Sequence, residues 1–286
     1  MTTVAYQGEP GAFGEEAIIG YFGADAVEPL PMSTFPAVCD AVEFGTADAG
    51  VLPLENSLAG TVGDALDPLA TGSLTVVGEV LLPIRHHLLV LPGVALDDVE
   101  WVASHWQALA QCERFLRERH WEVVPAADTA GAARELAARG DRQAGAVASE
   151  RAAQRYGLEV AARDIQDSPH NVTRFAVLAQ TDQHSLPPAV GALAPPAGAP
   201  RETLVTFETG HRPGDLYRAL GAFADAGVNL SRIESRPSGS GPWRYRFLVQ
   251  VAGDAALQPL ADALDGLREH TSSMRVLGSF DVGGGD

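Results

Sequence analysis

The segment from Asp164 to Phe175 has the residue types that most directly suggest chemistry. It is polar, it contains a proline, and it runs straight into an apolar stretch that is typical of a buried strand. A loop of this kind places side chains at the mouth of a strand, where binding and catalytic residues often lie. It would present Asn171, Thr173 and Arg174. The Arg174 guanidinium could hold a carboxylate bidentately, or it could pair with a neighbouring acid such as Glu55.

Several other predicted strands end in hydroxyl or amide residues that open a helix. These segments are Glu55-Asn56-Ser57 with Thr61, Ser104-His105-Trp106-Gln107, Asp128-Thr129 and Ser149-Glu150. Each one alone is most simply a helix N-cap, because such side chains satisfy the free N–H groups of a first turn. Together they predict a carboxylate-binding pocket, since helix N-termini carry partial positive charge and open α/β sheets bind ligands beyond the carboxyl ends of their strands.

The charge balance excludes several classes of partner and enzyme. The formal net charge of −17 repels nucleic acid and anionic membrane, so we expect neither as a partner. An anionic substrate would need a local electropositive pocket. All 20 basic residues are arginine, which excludes a Schiff-base lysine, a pyridoxal-phosphate enzyme and a P-loop lysine.

No motif for a metal or a nucleotide is present in the sequence. Cys39 and Cys112 are far apart and form no CxxC or zinc spacing. The glycines at 8, 11 and 14 do not form GxGxxG. We therefore expect neither a cofactor nor a metal. The few cysteines and the lack of a signal-peptide pattern at the N-terminus predict a cytoplasmic protein.

A proline-rich stretch divides the chain. Residues 181–202 carry five prolines together with glycines and alanines, which predicts a linker. It separates a first domain of residues 1–180 from a second domain of residues 203–281. Strands and helices alternate in the first domain, which predicts parallel α/β sheets. We expect two lobes with a cleft between them, one of residues 1–80 with 165–180 and the other of residues 81–164.

The second domain has a different order of elements. Strand, helix, strand, strand, helix and strand follow one another, which is the ferredoxin-like βαββαβ pattern. Leu216, Leu220 and Phe223 lie on one face of its first helix at spacings of four and three. Such an apolar stripe is typical of a core-facing helix.

Several motifs resemble those of one enzyme family. Asn171 to Phe175 matches the Thr-Arg-Phe motif of prephenate dehydratases and the related plant arogenate dehydratases, and other matches follow in order at Val4–Phe13, Leu52–Ser57 and Ser104–Leu109. Trp106 stands where the family has proline. The resemblance covers essentially the whole chain. It implies the two-lobed, periplasmic-binding-protein-like catalytic domain described above.

The resemblance also implies an activity. It is the decarboxylating dehydration of prephenate to phenylpyruvate, water and carbon dioxide, a step of L-phenylalanine biosynthesis. Thr173 would donate to the leaving hydroxyl, through a hydrogen bond that strengthens in the transition state because a threonine hydroxyl is a weak acid. The further candidates for substrate binding are Asn56, Ser57, Thr61, Ser104, Gln107, Asn171, Arg174, Phe175 and Glu55, of which Glu55 is expected to orient donors and Phe175 to pack against the ring or the core.

The second domain resembles an ACT domain, the amino-acid-sensing module of these dehydratases. The resemblance is carried by His211 to Gly214, Gly227 to Leu230, and an intact Glu-Ser-Arg-Pro motif. It implies that phenylalanine inhibits from a site between two such domains, in a homodimer or homotetramer. The implied effector residues are Gly214, Leu216, Asn229, Glu234, Ser235, Arg236 and Pro237. Asp215 departs from the family's Gly-Ala-Leu segment and could weaken or retune this binding. A plain dimerisation domain is the alternative.

Two rival functions stay open at this point. Arogenate dehydratase uses the same chemistry on an amino-acid substrate, and a two-lobed protein with a sensor could be a non-catalytic amino-acid-binding protein. A bifunctional enzyme with chorismate mutase activity is not expected, because no extra helical segment precedes Val4.

Overall fold

The computed structural model describes residues 1–181, 186–210 and 212–283. Its first 180 residues form eleven strands and seven α-helices along the described chain. In order these are β1 (Thr2–Gln7), α1 (Phe13–Phe22), β2 (Val27–Met32), α2 (Phe35–Glu43), β3 (Ala49–Asn56), β4 (Gly60–Thr61), α3 (Gly63–Thr71), β5 (Thr75–Pro83), β6 (His87–Val90), β7 (Trp101–His105), α4 (Trp106–Gln111), α5 (Glu113–Arg117), β8 (Glu122–Ala126), α6 (Thr129–Arg139), β9 (Ala144–Ala148), α7 (Glu150–Tyr156), β10 (Glu159–Ala162) and β11 (Val172–Ala179).

Two sheets organise this region into two lobes. The first has the order β2-β1-β3-β11-β5, with β4 paired to β3, and the second has the order β10-β6-β9-β7-β8. The chain crosses from the first lobe to the second after β5 and returns at β11, which pairs antiparallel with both β3 and β5. The predicted two-lobed, periplasmic-binding-protein-like fold is therefore confirmed.

The two lobes touch where the start of α7 meets the loop between β1 and α1. The Ser149 hydroxyl, at the start of α7, donates to the carbonyl oxygen of Gly11 over 2.7 Å. A Cβ at Gly11 would lie 2.8 Å from the Cα of Ala152, so this close approach requires glycine. Arg151 pairs with Glu15 across the same contact at 2.6 Å. Backbone, hydroxyl and ion-pair contacts thus hold the lobes together on this side.

The proline-rich stretch lies along the first lobe. In its described part, the N–H groups of Gly191 and Leu193 donate to the carbonyls of Tyr21 and Gly20 at the end of α1. The Leu193 side chain packs against the core beneath α1. These bonds satisfy carbonyls that a helix C-terminus leaves free. The segment therefore connects the domains and also caps a helix.

The remaining elements form the second domain. They are β12 (Arg201–Glu208), α8 (Asp215–Asp225), β13 (Leu230–Pro237), β14 (Tyr245–Ala252), α9 (Leu260–Glu269) and β15 (Ser273–Asp281). The antiparallel sheet has the order β13-β14-β12-β15, and a core of Val205, Phe223, Val249 and Leu264 lies between it and both helices. This confirms the ferredoxin-like prediction. His211 lies outside the described residues.

The other face of this sheet packs directly on the first lobe. Leu204, Leu248 and Phe280 share one hydrophobic core with Leu52 and Ala176. Backbones also approach closely, since a Cβ at Gly278 would lie 1.9 Å from the carbonyl oxygen of Val76 in β5. The second domain is therefore joined to the strands that carry the candidate site. In the described part of the chain, no helix has the length and apolarity needed to cross a membrane.

Candidate active site

Thr173 lies opposite Asn56 where β11 pairs with β3. The Asn56 amide nitrogen donates to the Thr173 hydroxyl oxygen over 3.0 Å and to the Asn171 side-chain oxygen over 2.7 Å. All three side chains are buried. The pairing of β11 with β3 thus brings Asn56 next to Asn171 and Thr173, which follow it by 115 and 117 residues in the sequence.

The direction of these hydrogen bonds determines what Thr173 can do. The Asn56 side-chain oxygen accepts the backbone N–H groups of Leu58 and Ala59, at 3.1 and 2.9 Å. The amide nitrogen must therefore point towards Thr173, whose oxygen acts as the acceptor. A hydroxyl is both donor and acceptor. Since the Asn56 bond uses its oxygen, its hydrogen is free to donate to another group.

Gln111, at the end of α4, brings the second lobe into this cluster. Its side-chain oxygen accepts from the Asn171 amide over 2.9 Å, and its nitrogen lies 3.5 Å from the Asn56 side-chain oxygen. The sequence analysis missed this residue. Helical spacing could have found it, because Gln111 lies four residues after Gln107 and therefore on the same helix face.

Ser57 holds the loop that precedes β11. Its hydroxyl donates to the carbonyl of His170 over 2.7 Å and accepts the N–H of Val172 over 3.0 Å. Its backbone N–H also donates to the Val172 carbonyl. These bonds place Ser57 beside the cluster as a support for the loop.

Arg174 points away from Thr173, because successive side chains of a strand lie on opposite faces of the sheet. Its guanidinium pairs with the buried carboxylate of Glu79 at 2.8 Å. The ion-pair interpretation is thus the one the structure shows, with Glu79 in place of the Glu55 that the sequence suggested. Burial raises the pKa of Glu79, and Arg174 opposes that shift.

Glu55 and Thr61 also face the second domain. Glu55 lies 3.3 Å from the buried guanidinium of Arg232, which donates to the Leu54 carbonyl as well. The Thr61 hydroxyl donates to Glu234 over 2.8 Å. Both residues were predicted to lie near the substrate. The structure places them at the contact with the second domain, because their side chains lie on the same face of the first sheet as that of Arg174.

The other predicted residues occupy three different environments. The Ser104 hydroxyl is fully buried and donates to the Val147 carbonyl within the second sheet. Phe175 lies in the core beneath α1, which is the second of its two predicted positions. Gln107 is half-buried on the first turn of α4, and its side chain makes no hydrogen bond to any described residue.

The helix starts at α6 and α7 are capped by their own residues. Asp128 accepts the N–H of Gly131 over 2.6 Å, and Ser149 accepts that of Ala152 over 3.0 Å. This is the N-cap interpretation of those two segments. Within the described ranges, no cluster of three or more His, Cys, Asp or Glu side chains is arranged to hold a metal ion.

The predicted effector residues separate onto two faces of the second domain. Glu234 and Arg236 face the first lobe, where Arg236 pairs with Asp67 at 3.0 Å. Ser235 lies opposite Phe247 on the helix side of the sheet. The exposed residues Gly214, Asn229 and Pro237 and the half-buried Leu216 complete the set. Alternation along β13 thus divides the Glu-Ser-Arg-Pro motif between two surfaces.

Asp215 organises the loop before α8. Its carboxylate accepts the N–H of Arg212 over 2.8 Å and pairs with Arg218 at 2.6 Å. The bond from the Arg212 backbone and that from Arg218 hold the pKa of Asp215 below its usual value. The residue that departs from the family motif therefore stabilises the start of the helix.

The fold and the buried hydroxyl–amide cluster define a two-lobed α/β domain of the periplasmic-binding-protein type, fused to a ferredoxin-like module. A family profile described as prephenate dehydratase matches residues 4–183, and one described as ACT domain matches residues 203–269. The chain belongs to the prephenate dehydratase family, which consists of hydro-lyases, and its second domain is an ACT domain.

Individual relatives extend over nearly the whole chain. It is 40% identical to arogenate dehydratase/prephenate dehydratase 2 of Arabidopsis thaliana, a chloroplastic protein, over 98% of this chain and 72% of that one. The structure of prephenate dehydratase from Arthrobacter aurescens in complex with L-Phe superposes with a TM-score of 0.86 at 36% identity, covering 98% and 90%. GqqA, described as a novel type of quorum quenching acylase, has a TM-score of 0.85 at 36% identity, covering 98% of both chains.

Proposed function

We propose that the cleft converts prephenate to phenylpyruvate, carbon dioxide and water in L-phenylalanine biosynthesis, with Thr173 as the catalytic residue. The observation that carries this proposal is the Asn56–Thr173 hydrogen bond of 3.0 Å, whose direction leaves the threonine hydrogen free. The catalytic domain would span residues 1–180 and the ACT domain residues 203–281, joined by residues 181–202. The matches at 4–183 and 203–269 support this division.

The reaction needs little from the protein beyond geometry and one donor. The bond between the ring carbon and its carboxylate breaks, and its electron pair enters the ring. The bond from the opposite ring carbon to its hydroxyl breaks in the same process, and hydroxide leaves and is protonated to water. Aromatisation supplies the driving force. A hydrogen bond from Thr173 stabilises the charge that develops on the departing oxygen.

Burial of the cluster strengthens this donor. Thr173 is 8% exposed and Asn171 is 1% exposed, so few waters compete for their hydrogen bonds. Gln107 is half-buried on the first turn of α4, one helical turn before Gln111, and we assign its amide to a substrate carboxylate. Arg174 is assigned to the domain contact, because Glu79 already neutralises it on the opposite face.

A phenylpyruvate assay on three proteins tests the assignment. Thr173→Ala removes the donor, and we expect kcat to fall by about 10²–10³. Thr173→Ser keeps the hydroxyl and is the matched control, with most of the activity retained. Equal activity of the alanine variant and the wild type would refute the role of Thr173.

Arogenate is the second candidate substrate, because the Arabidopsis relative carries both activities in its name. Its amine replaces the keto group of prephenate, so kcat/KM measured for both substrates decides the preference.

An acylase would need a general base beside its nucleophile. Among the described residues, Thr173 bonds only to Asn56 through its side chain, so the geometry favours the dehydratase. A non-catalytic binding protein would turn over neither substrate.

We infer that phenylalanine inhibits the enzyme through the ACT domain, and that β13 transmits its effect. Three alternate side chains of this strand, Arg232, Glu234 and Arg236, contact Glu55, Thr61 and Asp67 of the first lobe. The residues between them point to the helix side. Glu55 directly precedes Asn56, so a shift of β13 would reach the partner of Thr173 through one peptide unit.

Separating binding from inhibition tests this inference. Arg232→Met removes the link to Glu55, and we expect calorimetry to show phenylalanine binding while inhibition of turnover is lost. Arg268→Met is the control, because Arg268 forms an exposed pair on α9. Unchanged inhibition in Arg232→Met would overturn the role of β13. Inhibition requires effector binding to favour one cleft state over the other.

We also propose a homodimer or homotetramer in the cytoplasm. Strand β13 is an edge strand, and Ile233 upon it is 47% exposed, which favours pairing with a second copy. Light scattering measures the mass.

Cys39 and Cys112 are both free and buried, which is the state that a reducing compartment maintains. Fractionation of cells tests the location.

A further inference from the structure

His86 lies at the crossing between the lobes, one residue before β6, and its side chain is only 2% exposed. Its backbone is held by the returning chain, since its N–H donates to the Gln166 side chain and its carbonyl accepts the N–H of Ile165, both at 2.9 Å. Phe13 packs edge-on against the imidazole. The position of the ring therefore depends on neighbours that differ from those that orient Thr173.

The Nε2 atom of His86 lies 2.9 Å from the side-chain oxygen of Gln111. That oxygen also accepts from the Asn171 amide, so it acts as an acceptor towards both neighbours and His86 must donate from Nε2. The Nδ1 atom is buried and has no hydrogen-bond partner among the described residues. This arrangement selects one neutral tautomer of the imidazole.

One continuous series of hydrogen bonds thus links His86 to Thr173. His86 donates to Gln111, which accepts from Asn171, which in turn accepts from Asn56, the donor to Thr173. The backbone N–H groups of residues 58 and 59 hold one end of the series. His86, one residue before β6, holds the other end.

We propose that His86 is a positioning residue, which orients the Gln111 amide and through it keeps the Thr173 hydroxyl free to donate. The inference rests on the proposed dehydratase function. Without the Nε2 donor, the Gln111 amide can rotate and place its nitrogen against the Asn171 amide nitrogen. Two donors would then face each other, and Asn171 and Asn56 would lose the arrangement that fixes Thr173.

Two substitutions of His86 separate positioning from packing. His86→Leu removes the donor but still fills the space with a side chain. We expect kcat to fall by about 10²-fold with KM nearly unchanged, since small displacements of a catalytic group have effects of this size. His86→Gln restores an N–H donor, and most of the activity should return. Equal losses in both variants, or a loss in KM alone, would overturn the proposal.

A second measurement uses Thr173→Ala as the background. If His86 acts through Thr173, adding His86→Leu to Thr173→Ala causes no further fall in kcat, while a general packing defect lowers kcat equally in both backgrounds. The single variant Thr173→Ala reports separately on the proposed function. Full activity in that variant refutes the function, whereas multiplicative losses refute only the role of His86.

Discussion

The ion pair of Arg174 with Glu79 leads to a prediction about stability. Replacing Arg174 by methionine leaves a carboxylate that is 2% exposed without its cation. Breaking a buried pair costs roughly 3–5 kcal/mol. Arg174 is 27% exposed and Gln250 still donates to Glu79 over 2.9 Å, which reduces the cost. We therefore expect a loss of about 3 kcal/mol at neutral pH.

Urea denaturation of the wild type and Arg174→Met measures this loss. The double variant Glu79→Gln/Arg174→Met removes both charges, and we expect it to recover most of the stability, because replacing both partners of a buried pair is often neutral. The deficit of the single variant should be smaller at about pH 5 than at about pH 8, since protonating Glu79 removes the unpaired charge. Arg268→Met, at an exposed pair, should change stability by less than about 0.5 kcal/mol.

Kinetics of the same variant distinguish the two roles of Arg174. Because its side chain lies on the face opposite Thr173, we expect KM for prephenate in Arg174→Met to stay close to that of the wild type. A large rise in KM with unchanged stability would contradict the ion-pair argument. It would return Arg174 to the carboxylate-binding role that the sequence suggested.

Three further predictions concern stability. Burial lowers the pKa of both His86 and His87 from 6.5, so the folded state binds fewer protons than the unfolded state below that pH. The free energy of unfolding should therefore fall as the pH decreases, by up to about 1.4 kcal/mol per pH unit for each histidine. Calorimetry at a series of pH values measures this fall, and a flat profile would contradict the prediction. Gly278→Ala should disrupt the domain contact, because the added Cβ would lie 1.9 Å from a carbonyl oxygen of β5. The control is Gly221→Ala in the interior of α8, where the added Cβ meets nothing within 4 Å and should stabilise the protein by about 0.5–1 kcal/mol. Thermal melting compares the two variants. Asp215→Ala should lower the melting temperature by loosening the start of α8, while Asp215→Asn, which keeps an acceptor, should lower it less.

The local pattern of the sequence was sufficient for the fold class but not for the direction of every strand, because β6, β10 and β11 pair antiparallel in sheets that were predicted to be parallel. Alternating strands and helices predicted the α/β lobes, and the βαββαβ order predicted the ferredoxin-like domain, because period and order depend on residues that are neighbours in the chain. The motif around Thr173 and the one around Asn56 were both found as candidates. Their mutual contact follows from the antiparallel pairing of β11 with β3, which no local pattern specifies.

The tertiary structure decided which face of each strand meets which partner. The sequence analysis placed Thr173 and Arg174 together at the substrate, whereas alternation along β11 puts them on opposite faces, and the packed domains show that the Arg174 face meets Glu79 and the ACT sheet. Gln111 and His86 join the Thr173 cluster for the same reason, since they come from distant segments. Residue types and spacing determined the elements and their chemistry, whereas the directions of the buried hydrogen bonds and the charged pairs depend on contacts that form only when the two lobes and the second domain assemble.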